Sequence, residues 1–201
     1  MKKLKFTLLV LMIAIAGAAS AQVSLGIKGG VNMSNFYGDE LTNNNPKVGF
    51  NAGIAADFGF HPDMSIQSGL FFTTKGFKFD SDVLDYSENL MYLQIPVHLA
   101  YKVTVTPGTR IFFHGGPYAA YGVGGKIKVD LGVLGDASED VFGDGVGQYK
   151  SFDAGLGIGV GAEFGPFLVD LGWDMGLVDI SNDSDVKVKN QNAYLSVGYM
   201  F

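Results

Sequence analysis

The sequence contains no cysteine, which excludes disulfides, thiolate metal sites and a cysteine nucleophile. It has only three histidines, and none stands in a metal-ligand spacing or in a serine–histidine–aspartate order. His61 lies in an "HPD" turn, while His98 and His114 fall inside regular runs, so no catalytic site, metal site or cofactor site is expected. Proline is sparse, at six residues, and glycine shows no collagen-like period. Beyond the first 21 residues no apolar run approaches the length of a membrane-spanning helix. Basic residues are also in deficit, 14 against 20 acidic ones.

The first 21 residues read as a secretory signal. "MKKLK" is a basic start, Phe6 to Ala16 an apolar core, and Ala19-Ser20-Ala21 a small-residue cleavage site. Residues 22–201 then form one expected domain that begins at Gln22. Removing Lys2, Lys3 and Lys5 leaves 11 basic residues against 20 acidic ones, a net charge of −9. That balance argues against nucleic acid as a partner, since phosphate binding needs a basic face.

What is abundant is glycine, at 29 of 201 residues, and strict alternation. In "VSLGIKGGVNM" one face carries Val23, Leu25, Ile27, Val31 and Met33, and the other Ser24, Gly26, Lys28, Gly30 and Asn32. Period two marks a strand with unlike faces. Similar runs span 48–58, 64–75, 90–103, 109–123, 152–164, 167–178 and 190–201, which makes eight strands. Their lengths meet what a tilted strand needs to cross a bilayer. Short links at Pro62, Pro107 and Gly165-Pro166 alternate with long ones at 34–47, 76–89, 124–150 and 179–189. All tight turns therefore lie at one end, the pattern of outer-membrane barrels with short periplasmic turns and long external loops. An even strand count puts both termini on the periplasmic side.

A soluble barrel or sandwich also alternates, but its outer face would be rich in Lys and Glu. Here the face opposite the hydrophobes is small: Asp153, Gly155, Gly157, Gly159, Gly161 and Glu163 in "DAGLGIGVGAE". Such a face suits the crowded inside of a narrow barrel, with the Val, Ile, Leu and Phe face toward lipid. The expected fold is all-β, an eight-stranded antiparallel up-and-down transmembrane β-barrel. Its alternating glycines leave room for Phe112 and Tyr118 across the lumen and do not make a phosphate-binding turn. Two aromatic girdles are expected, with Phe58, Phe60, Tyr101, Phe164, Phe167, Tyr199 and Phe201 at the turn end. Phe36, Tyr37, Phe50, Phe72, Tyr92, Tyr121 and Phe152 would form the loop-end girdle.

Charges on the inner face should pair, because an isolated charge in a narrow lumen is costly. Asp57, Lys102, Arg110, Glu163 and Asp170 are expected low, near the turn end, with Arg110 beside Glu163. Lys28, His98, His114 and Asp174 are expected nearer the middle. This network reads as a structural plug, with a proton or small-ion path as the alternative. The long links are acidic, but "GDASEDVFGDG" lacks the ligand spacing of an EF-hand.

In order along the chain, "LGIKGGVNMSNF", "GFNAGIAADF", "IQSGLFFTTKG", "YLQIPVHLAYK", "GGPYAAYG", "FDAGLGIGVGAEFG" and "LSVGYMF" resemble the PorT family of outer-membrane β-barrel proteins. The chain reads Gly69-Leu70 where relatives often carry Glu-Leu. The resemblance implies an outer-membrane location in a Gram-negative bacterium, and outer-membrane lipid and the barrel-assembly machinery as partners. It also brings surface or secretion-system proteins into view, because the founding member assists protein secretion. It further implies that the terminal aromatics Tyr199 and Phe201 serve as the assembly signal. Replacing Phe201→Asp, or appending a charged tag after it, should impair assembly, read as loss of membrane-inserted protein in cell fractions. Normal insertion of both variants would contradict the signal.

Overall fold

The computed structural model describes residues 22–38, 45–80, 85–130, 136–143, 145, 147–183 and 186–201. The expected signal segment lies outside the described residues, as do the acidic positions Asp39, Glu40, Asp82, Asp144 and Asp185 of the long links.

Ten strands follow in order: β1 (Gln22–Gly38), β2 (Asn45–His61), β3 (Met64–Lys75), β4 (Phe77–Asp80), β5 (Asp85–Thr106), β6 (Thr109–Asp130), β7 (Asp136–Asp140), β8 (Phe152–Phe164), β9 (Phe167–Gly176) and β10 (Val188–Met200). β3 and β4 act as one strand interrupted at Gly76, since both pair with β2 and with β5. Antiparallel pairing runs β1–β2–β3–β5–β6–β8–β9–β10 and returns to β1, so eight strands close a ring. β7 is an extra strand on the loop end of β6.

Closure rests on the β1–β10 seam, where Ile27 faces Tyr199, Val31 faces Leu195 and Met33 faces Ala193. The seam runs to the last residue, whose N–H donates to the Leu25 carbonyl at 2.7 Å. At the turn end the links are two-residue hairpins: Thr106 pairs with Thr109 and Phe164 with Phe167. Gly108 (φ 82°) and Gly165 (φ 59°) supply the positive φ that such tight turns require.

The pleat divides the side chains as the alternation demands. Ile27, Val31, Ile54, Leu99, Ile158, Leu171 and Val197 are exposed on the outside. Asn32, Asn51, Asp57, His98, His114, Asp153, Asp170, Asp174, Asn192 and Ser196 are buried on the inside. This inversion, with apolar side chains outside and polar ones within, belongs to a barrel whose solvent is lipid. Exposed Phe60, Tyr101, Phe164 and Phe167 ring the turn end, and Phe50, Tyr121 and Phe152 the loop end.

In its strands and its aromatic girdles the structure departs from the sequence reading in two ways. All four long links are partly strand: β1 reaches Gly38, β2 starts at Asn45 and β10 at Val188, Lys78 pairs with Ser87 across β4–β5, and Ile127 with Glu139 across β6–β7. Strands that rise beyond the bilayer need no lipid-facing side, so their alternation fades while their ladders continue. Phe36 and Tyr92, expected in the loop-end girdle, are 2% and 0% exposed and point inward. They lie on the same strand phase as Asn32 and Gln94, which are also buried.

An arginine at Ile158, halfway along β8 and 60% exposed, should cost about 2–4 kcal/mol in denaturant unfolding from lipid vesicles. At Phe167, on the turn-end rim, the same change should cost at most about 1 kcal/mol. Equal costs at the two positions would contradict the lipid-facing assignment.

Candidate functional site in the barrel interior

Interior side chains stack in layers from the turn end upward. In the lowest layer Arg110 Nη2 lies 2.6 Å from Glu163 Oε2, and Lys102 Nζ lies 2.8 Å from Glu163 Oε1 and 2.7 Å from Asp57 Oδ2. Ser65 Oγ and Gln67 Nε2 also donate to Asp57, at 3.1 and 3.2 Å. Arg110 and Glu163 meet because their strands β6 and β8 pair with these two residues directly opposed.

The second layer joins Lys28, Asp170, His114 and His98. Lys28 Nζ bonds Asp170 Oδ2 and sits 5.2 Å from the Tyr194 ring centroid. His114 Nε2 is 3.0 Å from Asp170 Oδ1, and the His98 and His114 Nδ1 atoms are 2.8 Å apart between stacked rings. Asp170 was expected in the lowest layer, but it belongs here. It stands two residues beyond Leu168, the register partner of Glu163, and that step along an inward-facing strand is one layer. Asp174, two layers further along β9 beyond Gly172, accepts a hydrogen bond from Gln94 Nε2 at 2.8 Å and makes no ion pair among the described residues.

A further ion pair, nearer the loop end, was not anticipated from the sequence. Lys75 Nζ lies 3.2 Å from Asp153 Oδ2, and both side chains are fully buried. Asn190 Nδ2 donates to the same oxygen at 2.9 Å. The ammonium also lies 4.7 Å from the Tyr118 ring centroid and 5.2 Å from that of Tyr92. Lys75 and Asp153 share the inward phase of their strands, so listing every charge on that phase would have found them. Around this pair an apolar cluster of Phe36, Leu90, Tyr92, Tyr118, Val141 and Ile180 occupies the loop end of the interior. Val141 and Ile180 come from the long links, and no periodicity signals them.

Glycines on β8 make room for the larger groups. A Cβ at Gly161 would run into the Phe112 ring, one at Gly159 into His114, and one at Gly157 into Asp174 and His98. Below the Asp174 layer lies a cavity of about 650 Å³ that reaches the turn-end rim at Gln22, His61 and Met200. Among the described residues no group of three or more His, Asp or Glu side chains could hold a metal ion.

A closed eight-stranded ring with an inverted polarity and a charge-paired interior is an outer-membrane architecture. Residues 18–182 match the outer membrane protein β-barrel domain. The chain belongs to that family. Among solved structures, this barrel is similar to the outer membrane protein OprG from Pseudomonas aeruginosa, at 13% identity and a TM-score of 0.52. That match covers 90% of this chain and 97% of OprG. Neisserial surface protein A is 14% identical with a TM-score of 0.48, covering 90% of this chain and 99% of that one. The attachment invasion locus protein Ail of Yersinia pestis is 19% identical with a TM-score of 0.47, with the same two coverages. At these identities the likeness is one of fold. A search of curated proteins finds no match.

Removing the buried cation should strand its carboxylate. Lys75→Met should cost about 3–5 kcal/mol in denaturant unfolding, because Asp153 stays buried without a counter-charge. Arg110→Gln, at a side chain 44% exposed, should cost less than about 1 kcal/mol. The reverse order of costs would contradict the layered account.

Proposed function

We propose that this family member is a structural or surface-interaction barrel of the outer membrane whose interior does not conduct, and that it has no catalytic activity. The observation that carries the proposal is the loop end of the interior. Phe36, Leu90, Tyr92, Tyr118, Val141 and Ile180 pack there around the buried Lys75–Asp153 pair. A continuous water path would have to pass both an apolar cluster and a fully paired charge layer. The 650 Å³ cavity therefore serves as a vestibule open at the turn end.

In this reading the signal segment is cleaved near Ala21, and the termini and short turns face the periplasm. Lys28, Asp57, Lys102, Arg110, His114, Glu163, Asp170 and Asp174 hold the wall rigid from within, while Tyr199 and Phe201 direct assembly. The long links face outward, and in them acidic residues outnumber basic ones, which favours cationic over polyanionic surface partners. The resemblance to the PorT family supports a second reading, an accessory component of a protein-secretion system. It rests on the combined motifs, among them "YLQIP", "GGPY" and "DAGLGIG".

Purified protein in planar bilayers should give no steady conductance steps, and stable ohmic steps would overturn the non-conducting reading. Deleting the gene should leave protein export intact on the first reading, whereas an export defect would favour the second.

A further inference from the structure

The cavity is lined by four acidic side chains, Asp57, Glu163, Asp170 and Asp174, but by only three permanently cationic ones, Lys28, Lys102 and Arg110. Each of the first three carboxylates is bound to a cation. Asp174 is the odd one, and it is 2% exposed at the inner end of the cavity.

Hydrogen-bond bookkeeping around Asp174 leaves acceptors in excess. Asp170 already receives Lys28, so as a carboxylate it requires His114 Nε2 to carry a proton. In neutral His114 the Nδ1 is then an acceptor, and His98 Nδ1 must donate across the 2.8 Å contact. That tautomer leaves His98 Nε2 with a bare lone pair, and the atom is buried without a partner. Gln94 is oriented the same way, since its Nε2 donates to Asp174 and its buried Oε1 has no partner. Both side chains are more than nine-tenths buried, at 4% and 7% exposure, and both line the cavity. Asp174 Oδ1 and His98 Nε2 flank Gly157, lying 2.5 and 2.9 Å from where a Cβ would stand.

We propose that the inner end of the cavity binds a small primary ammonium ion. Such a group brings one positive charge to the odd carboxylate and N–H donors to Asp174 Oδ1 and His98 Nε2. A hard metal ion is a poor match, because one carboxylate with an amide oxygen and an imidazole nitrogen supplies too few oxygens. Phe71 and Phe112 also line the cavity and offer apolar surface to a short alkyl chain. This site does not depend on whether the barrel is structural or secretory, nor on which side of the membrane the turns face.

The test is a titration of the purified full-length barrel in nanodiscs with propylammonium chloride, following the ¹⁵N resonance of His98 Nε2. Tetramethylammonium chloride, which has the charge but no N–H, is the control at equal ionic strength. Propylammonium should shift the resonance saturably and tetramethylammonium should not. Gly157→Ala, which places a methyl between the two acceptors, and Asp174→Asn should each bind about tenfold more weakly or worse. Failure of the wild-type resonance to saturate, or an equal response to tetramethylammonium, would overturn the site. So would undiminished affinity in a folded Gly157→Ala barrel. The wild-type titration decides the matter even if a variant fails to fold.

Discussion

Hydrocarbon offers no water to a peptide group, so every backbone N–H and C=O in the spanning region must find its partner within the chain. The rest of this structure follows from that requirement. Eight strands meet it only because β10 returns to β1, with Ile27 opposite Tyr199 and Val31 opposite Leu195. Once the ring is closed, the pleat sends alternate side chains to lipid and to a narrow interior, and each surface then dictates its own residues. Outside, Ile54, Ile158 and Leu171 need only be apolar. Inside, the groups must fit together and satisfy one another.

The interior solves this problem differently along its length. Near the turns, where the cavity admits solvent, charges form an open chain from Arg110 through Glu163 and Lys102 to Asp57. Midway, Asp170 gathers Lys28 and His114, and glycines at 157, 159 and 161 make space for His98, His114 and Phe112. At the loop end the solution is apolar, with aromatic and aliphatic side chains packed around one buried ion pair. Polarity thus falls from an open end toward a filled one, and the proposed non-conducting reading rests on that gradient.

Much of the fold was legible because lipid imposes a strict code. The runs at 23–33, 152–164 and 167–178 alternate so regularly that strand, face and topology can be read from residue type alone. The Arg110–Glu163 contact was legible too, since β6 and β8 are neighbours and the two residues share a phase and a height. Legibility ended where that code lapses. The β4–β5 and β6–β7 extensions stand in water, so nothing forces them to alternate. Phe36 and Tyr92 lie on the inward phase, yet sequence alone gives an aromatic ring the same reading at an interface as in a plugged lumen. Asp170 was placed one layer too low because height was judged from distance to the turn, without the register. The orphaned acceptors of His98 and Gln94 depend on tautomer and amide orientation, which only the arrangement of neighbours determines.

The central claim is that the interior is open at the turn end and filled at the loop end. The most direct measurement is thiol labelling in reconstituted vesicles, using a membrane-impermeant reagent added to one side at a time. The single-cysteine variant Gln67→Cys probes the lowest interior layer, where the side chain is partly exposed to the cavity, and Ser34→Cys probes the level of the apolar cluster. The account predicts that Gln67→Cys reacts only from the turn side and that Ser34→Cys reacts from neither. Labelling of Gln67→Cys from the loop side would show a continuous path through the barrel and contradict it.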